Sequence, residues 1–296
     1  HTGSGAVTIT HAFGETVLSA PPTRVVSAGL TEQDDLLALG VVPIAVTNWF
    51  GDQPFGVWPW AQPGLGDARP VLLNLDNGIQ VDAIATLKPD LIVAVNAGLD
   101  AETYKRLSEI APTMAQSGGE AFCGPWTERA DAVAAAVFKK DEMSRLVDSV
   151  ESTFAAVAQA NPAFKDRTAV LLGGRVAGDA VTATVGGWRT DFLIARGLAV
   201  PESIKASPAN GGQAVIARDD LAAAVDGADV LIWCSESDAE QGALLADPTV
   251  AGLRATAMKR NVFTPAELAG AIAYASPLSY PLVADRLPAL LAQALG

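Results

Sequence analysis

The stretch Ala85-Thr86-Leu87-Lys88-Pro89-Asp90-Leu91-Ile92-Val93 decides how this chain is built. Residues 81–87 read as a short helix. Lys88-Pro89-Asp90 breaks it, because proline disfavours helical backbone in the residue before it. Residues 91–95 then form an unbroken apolar run of strand length, the pattern of a strand buried on both faces. Upstream, 24–28 is a second buried strand. Thr31 is placed as an N-cap after Gly29, with Asp34 three residues on and Leu36, Leu37 and Leu39 on one face. Residues 41–46 are the next strand, and strand–helix–strand implies a parallel pair with a right-handed crossover. Residues 7–11 and 16–18 read as a hairpin turning at Gly14 and stopped by Pro21-Pro22.

Downstream, 102–110 reads as a helix and 112–114 leads into a short strand. Residues 127–160 contain neither Gly nor Pro and repeat apolar residues at helical spacing. A junction near 138–141 is expected there, with Asp141 as a cap. After Asn161-Pro162 a second α/β pattern begins: strands at 169–172, 229–233 and 261–263, a helix at 190–196 and a closing helix at 279–295. The expected fold is α/β: an N-terminal lobe (1–125), a connecting helix (126–162) and a C-terminal lobe (163–296), each lobe with a mostly parallel central sheet.

Half of the 296 residues are hydrophobic and 18% are charged, a composition that can bury a large core. Thirty-three acidic against 20 basic residues leave a net charge of -13, which argues against a polyanionic partner such as nucleic acid. No apolar run is long enough to span a membrane. Two Cys and two His, with no Cys-x-x-Cys or His-x-x-x-His spacing, exclude zinc-finger and zincin chemistry. Gly-x-Ser-x-Gly and phosphate-binding glycine loops are also absent, and no catalytic set emerges. His11 reads as a solvated side chain on an edge hairpin. Residues 1–5 are small and polar with no starting Met, and read as a trimmed or mature start; a flexible leader of this kind can also be the tether of a lipoprotein, which five residues do not establish.

The aromatic residues carry more information. Trp49, Phe50, Phe55, Trp58 and Trp60 crowd into the loop 49–70 with Pro54 and Pro59, at neither helical nor alternating spacing. That suits a rigid aromatic wall, or a cover over the lobe's own core. Trp126 and Trp188 are placed in loops at strand ends, where open α/β sheets gather ligands. Arg175, after Gly173-Gly174, and Arg189 are expected at the second lobe's edge, as an anion clamp or as surface ion pairs.

In this order the segments resemble the periplasmic binding proteins for iron–siderophores, cobalamin and haem, the helical-backbone (class III) group. Carrying the resemblance are Pro22-Thr23-Arg24-Val25-Val26, Leu36-Leu37-Ala38-Leu39-Gly40-Val41, the 85–93 stretch, the run from Tyr104 to Thr113, Ala228-Asp229-Val230-Leu231-Ile232-Trp233, and 253–263. The Trp-Pro-Trp loop is most similar to the actinobacterial ferric-siderophore lipoprotein branch. The resemblance implies one helix between the lobes and a largely preformed cleft. It implies a non-enzymatic, monomeric, extracytoplasmic protein with no resident cofactor, which captures a ferric siderophore and delivers it to an ABC transporter permease. A lipid anchor outside this chain would be its membrane contact. Trp49, Phe50, Trp58, Trp60, Trp126, Arg175, Trp188 and Arg189 would face the cleft. Asp82 and Asp219, where related sequences carry Glu, would dock on the permease.

Cys123 and Cys234 would lie at facing cleft edges, bridged if their Cα atoms come within about 7 Å and free otherwise. Haem or cobalamin is the alternative ligand. The loop Asn96-Ala97-Gly98-Leu99 lacks the Tyr or His with which the haem branch often ligates iron, which leaves stacking on Trp58 or Trp126. A cluster enzyme would need more Cys. A ligandless interaction module would leave the aromatic loop unexplained.

Overall fold

The computed structural model describes residues 5–118, 124–176 and 178–296. The chain divides into two compact units, His1–Asp148 with Ser276–Ser279, and Ser149–Ala275 with Tyr280–Gly296.

The first unit contains β1 (Val7–His11), β2 (Gly14–Leu18), β3 (Val25–Ser27), α1 (Glu32–Ala38), β4 (Ala45–Thr47), β5 (Val71–Leu73), α2 (Val81–Thr86), β6 (Leu91–Ala94), α3 (Ala101–Ser108), β7 (Thr113–Ala115) and α4 (Trp126–Ala136). Strands β1 and β2 form the expected hairpin. The other five make a wholly parallel sheet in the order β5-β4-β3-β6-β7. Its central strands β3 and β6 are buried at every residue, which is why they read as unbroken apolar runs. Strand β4 starts four residues later than the 41–46 reading, because Pro43 has no N–H to give to a ladder.

The second unit takes up β8 (Ala169–Gly173), β9 (Ala180–Thr184), α6 (Asp191–Ile194), α7 (Glu202–Lys205), β10 (Gln213–Ala217), α8 (Leu221–Val225), β11 (Val230–Cys234), α9 (Asp238–Ala246), α10 (Pro248–Ala251), α11 (Arg254–Ala257), β12 (Asn261–Phe263), α12 (Ala266–Tyr274) and α13 (Tyr280–Leu295), numbering on from α5 (Lys140–Ala160). The sheet order is β10-β9-β8-β11-β12. Strands β8, β11 and β12 run parallel, while β9 is antiparallel to both β8 and β10. Strands β9 and β10 alternate buried and exposed positions through short, Ala- and Thr-containing segments, so they do not stand out as apolar runs in sequence.

Residues 126–162, the expected connecting segment, are two helices that break at the junction expected near 138–141. Phe138 takes a left-handed φ of 62° and stops α4 before α5 begins. The unit boundary falls inside α5. Asp141 is therefore in the first turn of α5 rather than capping it.

Both units use the same lock, and it explains the Lys-Pro-Asp landmark. Asp90 precedes β6 and accepts hydrogen bonds from Thr23 N (2.8 Å), Thr23 Oγ1 (3.0 Å) and Arg24 N (2.7 Å), tying the start of β3 to that of β6. Asp229 precedes β11 and accepts from Thr168 N (2.8 Å) and Thr168 Oγ1 (3.2 Å), just before β8. In each case the carboxylate sets the register of a parallel pair that has no hairpin to set it: Val25 opposite Leu91, and Ala169 opposite Val230.

Candidate ligand site

The long connection from β4 to β5 leaves the carboxyl edge of the first sheet, the edge at which doubly wound sheets take ligands. Two short 3-10 turns, Pro54–Gly56 and Gln62–Leu65, shape it. Its aromatic residues form a contiguous ladder. Trp49 meets Phe50 edge-on at 4.7 Å between ring centres, Phe50 tilts onto Trp58 at 5.3 Å, and Trp58 stacks on Trp60 at 5.1 Å with 10° between the planes. Gly51 lets the Trp58 ring lie against the backbone: it has φ 86°, and a Cβ there would run into the indole. Trp58, expected on the surface of a wall, is only 4% exposed. It is the inner rung, while Trp49, Phe50 and Trp60 are half-buried and present an accessible face. Phe55, Trp60 and Leu278 also pack on a small apolar cluster of Leu37, Val57, Ala61 and Leu65, so the loop covers core as well.

Behind the ladder lies a cluster that the sequence reading missed. Glu32, Gln33, Asp34 and Asp35, the first four residues of α1, are all fully buried. Glu32 Oε1 accepts from Asn96 N at 2.6 Å, and its carboxyl fills the space beside Gly29, between the loops that follow β3 and β6. The crevice at the sheet's switch point is thus occupied by a side chain of the protein itself. Asp34 Oδ2 accepts from Trp60 Nε1 at 2.7 Å and from Ser276 Oγ at 2.5 Å. Asp35 Oδ2 accepts from Arg129 Nε on α4 at 2.9 Å, in a pair buried on both sides.

Burial pushes the Glu32 and Asp34 carboxyls up to about 7, against the hydrogen bonds they accept, and raises Asp35 as well. Thr31 does not cap α1; its hydroxyl accepts from Asn96 Nδ2. A signal was there to be read: Glu32 and Asp35 precede Leu36 and Leu39 by four residues and so share the helix face of apolar residues. His11 is likewise not solvated. It is 6% exposed, its Nδ1 accepts from Phe13 N, and this leaves the ring proton on Nε2, 2.8 Å from Thr16 Oγ1. Burial lowers its pKa. Trp126 is not in a loop but opens α4, and is 7% exposed.

In the second unit, Arg175 is exposed just beyond the carboxyl end of β8, and its charge acts on Glu236 after β11. Trp188 and Arg189 sit in the 3-10 turn Gly187–Thr190 that follows β9. Because β9 runs antiparallel, with Thr184 opposite Leu171, this turn leaves the sheet at a lower level than Arg175. The two arginines therefore do not leave one shared strand edge, as the sequence reading had placed them. The Arg189 guanidinium lies 5.0 Å from the Trp188 ring centre. Its Nε is buried and has no hydrogen-bond partner among the described residues.

Asp82 is exposed in the first turn of α2, and Asp219 is exposed in the turn Arg218–Asp220 before α8. Cys123 lies outside the described residues. Cys234 ends β11, and desolvation, with Glu236 adding to it, pushes its thiol up to about 12. Among the described residues no group of His, Cys, Asp and Glu could hold a metal ion, and no helix is long and apolar enough to cross a membrane.

Comparison with known proteins sets these features in a family. The family model described as periplasmic binding protein matches residues 25–268. A solved periplasmic solute binding protein from Mycobacterium smegmatis is 60% identical over 99% of both chains, with a TM-score of 0.94. The PiaA protein of Streptococcus pneumoniae, solved in complex with ferrichrome, has the same fold at 24% identity and a TM-score of 0.78, over 98% of both chains. A probable siderophore-binding lipoprotein, YfiY of Bacillus subtilis, is 34% identical over 47% of this chain and 41% of its own length. The chain matches less than half the length of the curated relatives. With the model matched across most of its length, from β3 into α12, this chain belongs to the periplasmic binding protein family.

Proposed function

We propose that this chain is an extracytoplasmic binding protein that captures a ferric siderophore and delivers it to a permease of the ATP-binding-cassette type. The ring ladder Trp49–Phe50–Trp58–Trp60 carries the reading. A ferric siderophore already fills the coordination sphere of its iron, so the protein need only grip the organic shell. A rigid, backed aromatic face does so with little ordering cost. Arg175 and Arg189, each on its own turn of the second unit, are the cations proposed for an anionic complex in an otherwise acidic chain. The PiaA complex with ferrichrome and the siderophore-binding lipoprotein among the relatives support the same ligand class. Asp82 and Asp219 act at the permease, where charge pairs set encounter rate and orientation.

The test is tryptophan quenching with ferrichrome, ferric citrate, ferric enterobactin and haem. At least one ferric siderophore should bind with sub-micromolar affinity, and Trp60→Ala or Trp49→Ala should each weaken it by about 1–3 kcal/mol. Failure of every ferric siderophore to bind while haem does would move the protein to haem capture. Unchanged affinity in both Trp variants would remove the ladder from the site.

A further inference from the structure

We propose that Asp34 is a positioning residue for ligand capture: by holding the Trp60 indole N–H, it fixes the aromatic ladder in its binding attitude. The inference rests on the reading of the ladder as the ligand wall. Between β4 and β5 the loop's own hydrogen bonds are short-range, such as Gly56 N to Gln53 O and Ala61 N to Trp58 O, and Phe55 sits at a left-handed φ of 57°. Two side chains of α1 tie this loop down. Gln33 Nε2 donates to Gly56 O at 2.9 Å, and Asp34 accepts from Trp60. Trp60 is half-buried and packs on the Leu37 cluster, and the bond to Asp34 anchors its indole N–H in the orientation in which the ring lies flat on Trp58.

Asp34 itself cannot drift. It is fully buried, and the same oxygen that takes the indole proton also takes the Ser276 hydroxyl. Its other oxygen, Oδ1, has no hydrogen-bond partner among the described residues. A carboxyl is a costly group to bury half-satisfied, and an apolar side chain of similar size would serve stability better. What an apolar side chain cannot do is accept from an indole.

The test separates holding the ladder from merely holding the fold. Asp34→Leu keeps the volume and removes the acceptor. Asp34→Asn keeps a carbonyl oxygen in place of Oδ2 and sets its amide where Oδ1 has no partner. Ser276→Ala breaks the other bond of the same oxygen. Two readouts need no ligand: the Trp60 indole N–H resonance, and the near-ultraviolet circular dichroism couplet of the stacked Trp58 and Trp60. The third is affinity for the ferrichrome, ferric citrate and ferric enterobactin of the panel.

Asp34→Leu should lose the couplet, shift the Trp60 resonance and weaken binding about tenfold, the cost of leaving the indole donor without its acceptor. Asp34→Asn should restore all three. Ser276→Ala should lower the melting temperature and leave all three in place. If Asp34→Leu does not fold, Asp34→Ser, too short to reach the indole, takes its place with the same expectation. The proposal is overturned if the folded variant keeps the couplet and resonance, or if Ser276→Ala reduces affinity as much as Asp34→Leu. Should no ferric siderophore bind at all, the proposed ligand falls while the two ligand-free readouts still decide whether Asp34 holds the ladder.

Discussion

Acidification should stabilise the first unit, the reverse of ordinary acid denaturation. The groups concerned are Glu32 and Asp34, pushed by burial from ordinary values of 4.5 and 3.8 to about 7. Charged neighbours face them from two helices: Asp35 on α1, which raises them, and Arg129 on α4, which lowers them. Asn96, Trp60 and Ser276 bring hydrogen bonds without charge. In the unfolded chain both carboxyls ionise near pH 4, while in the folded unit they hold their protons until about 7. Across that window the folded state binds more protons, so unfolding free energy falls as pH rises and is regained as pH falls.

At about 1.4 kcal/mol per pKa unit, moving from pH 7 to 4.5 returns on the order of 3 kcal/mol for each carboxyl. His11 works the other way. Its lowered pKa means that stability is lost as the unfolded imidazole protonates below about 6.5. Asp90 and Asp100, whose pKa values are depressed, lose their contribution only at pH values below this window. The net gain is about 2–5 kcal/mol, which for a unit of this size raises the melting midpoint by roughly 5–15 °C. Calorimetry at constant ionic strength reads it, with the indole N–H resonance of Trp60, a first-unit residue, assigning the transition. The combined Glu32→Gln and Asp34→Asn variant should flatten the dependence. A wild-type midpoint that falls steadily from pH 7 to 4.5, or a double variant that keeps the rise, would refute the reasoning.

Gly51→Ala forces a Cβ into the Trp58 ring at a left-handed φ and should cost about 1–3 kcal/mol of stability, together with a weakened ladder couplet; a silent variant would mean the loop can shift. Arg196, 1% exposed, stacks over Phe154 at 4.8 Å and donates to the carbonyls of Phe192 and Val283. Arg196→Ala should therefore lower the second unit's unfolding free energy by about 3 kcal/mol in urea titration, and a loss under 1 kcal/mol would show that water replaces those bonds. Asp82→Ala with Asp219→Ala should leave siderophore affinity intact and slow cellular uptake; normal uptake would make both ordinary surface charges.

The sequence by itself determined the α/β class, the two sheets and their central strands. Strands buried on both faces must be continuously apolar, and Leu91-Ile92-Val93 and Val230-Leu231-Ile232 say so without tertiary help. It also placed the Lys88-Pro89-Asp90 break and the crowding of aromatic residues in one loop. Strands β9 and β10 escaped it because each is short and partly exposed, and its apolar signal is diluted by Ala and Thr in β9 and by Gln and Ala in β10. What only the tertiary structure decided is where polar groups go. Trp58 became the inner rung because Gly51 admits its ring, His11 became a buried acceptor because Phe13, Thr16 and Tyr104 close over it, and the acids of α1 went inward. A string of Glu, Gln, Asp and Asp at a helix start looks like a solvated first turn favoured by the helix dipole. It can be buried only if partners far along the chain are brought to it, and Asn96, Arg129 and Ser276 lie 64, 94 and 242 residues away from the carboxyls they satisfy. Local pattern carries the cost of burying a charge, but the partners that offset it exist only once the chain has folded.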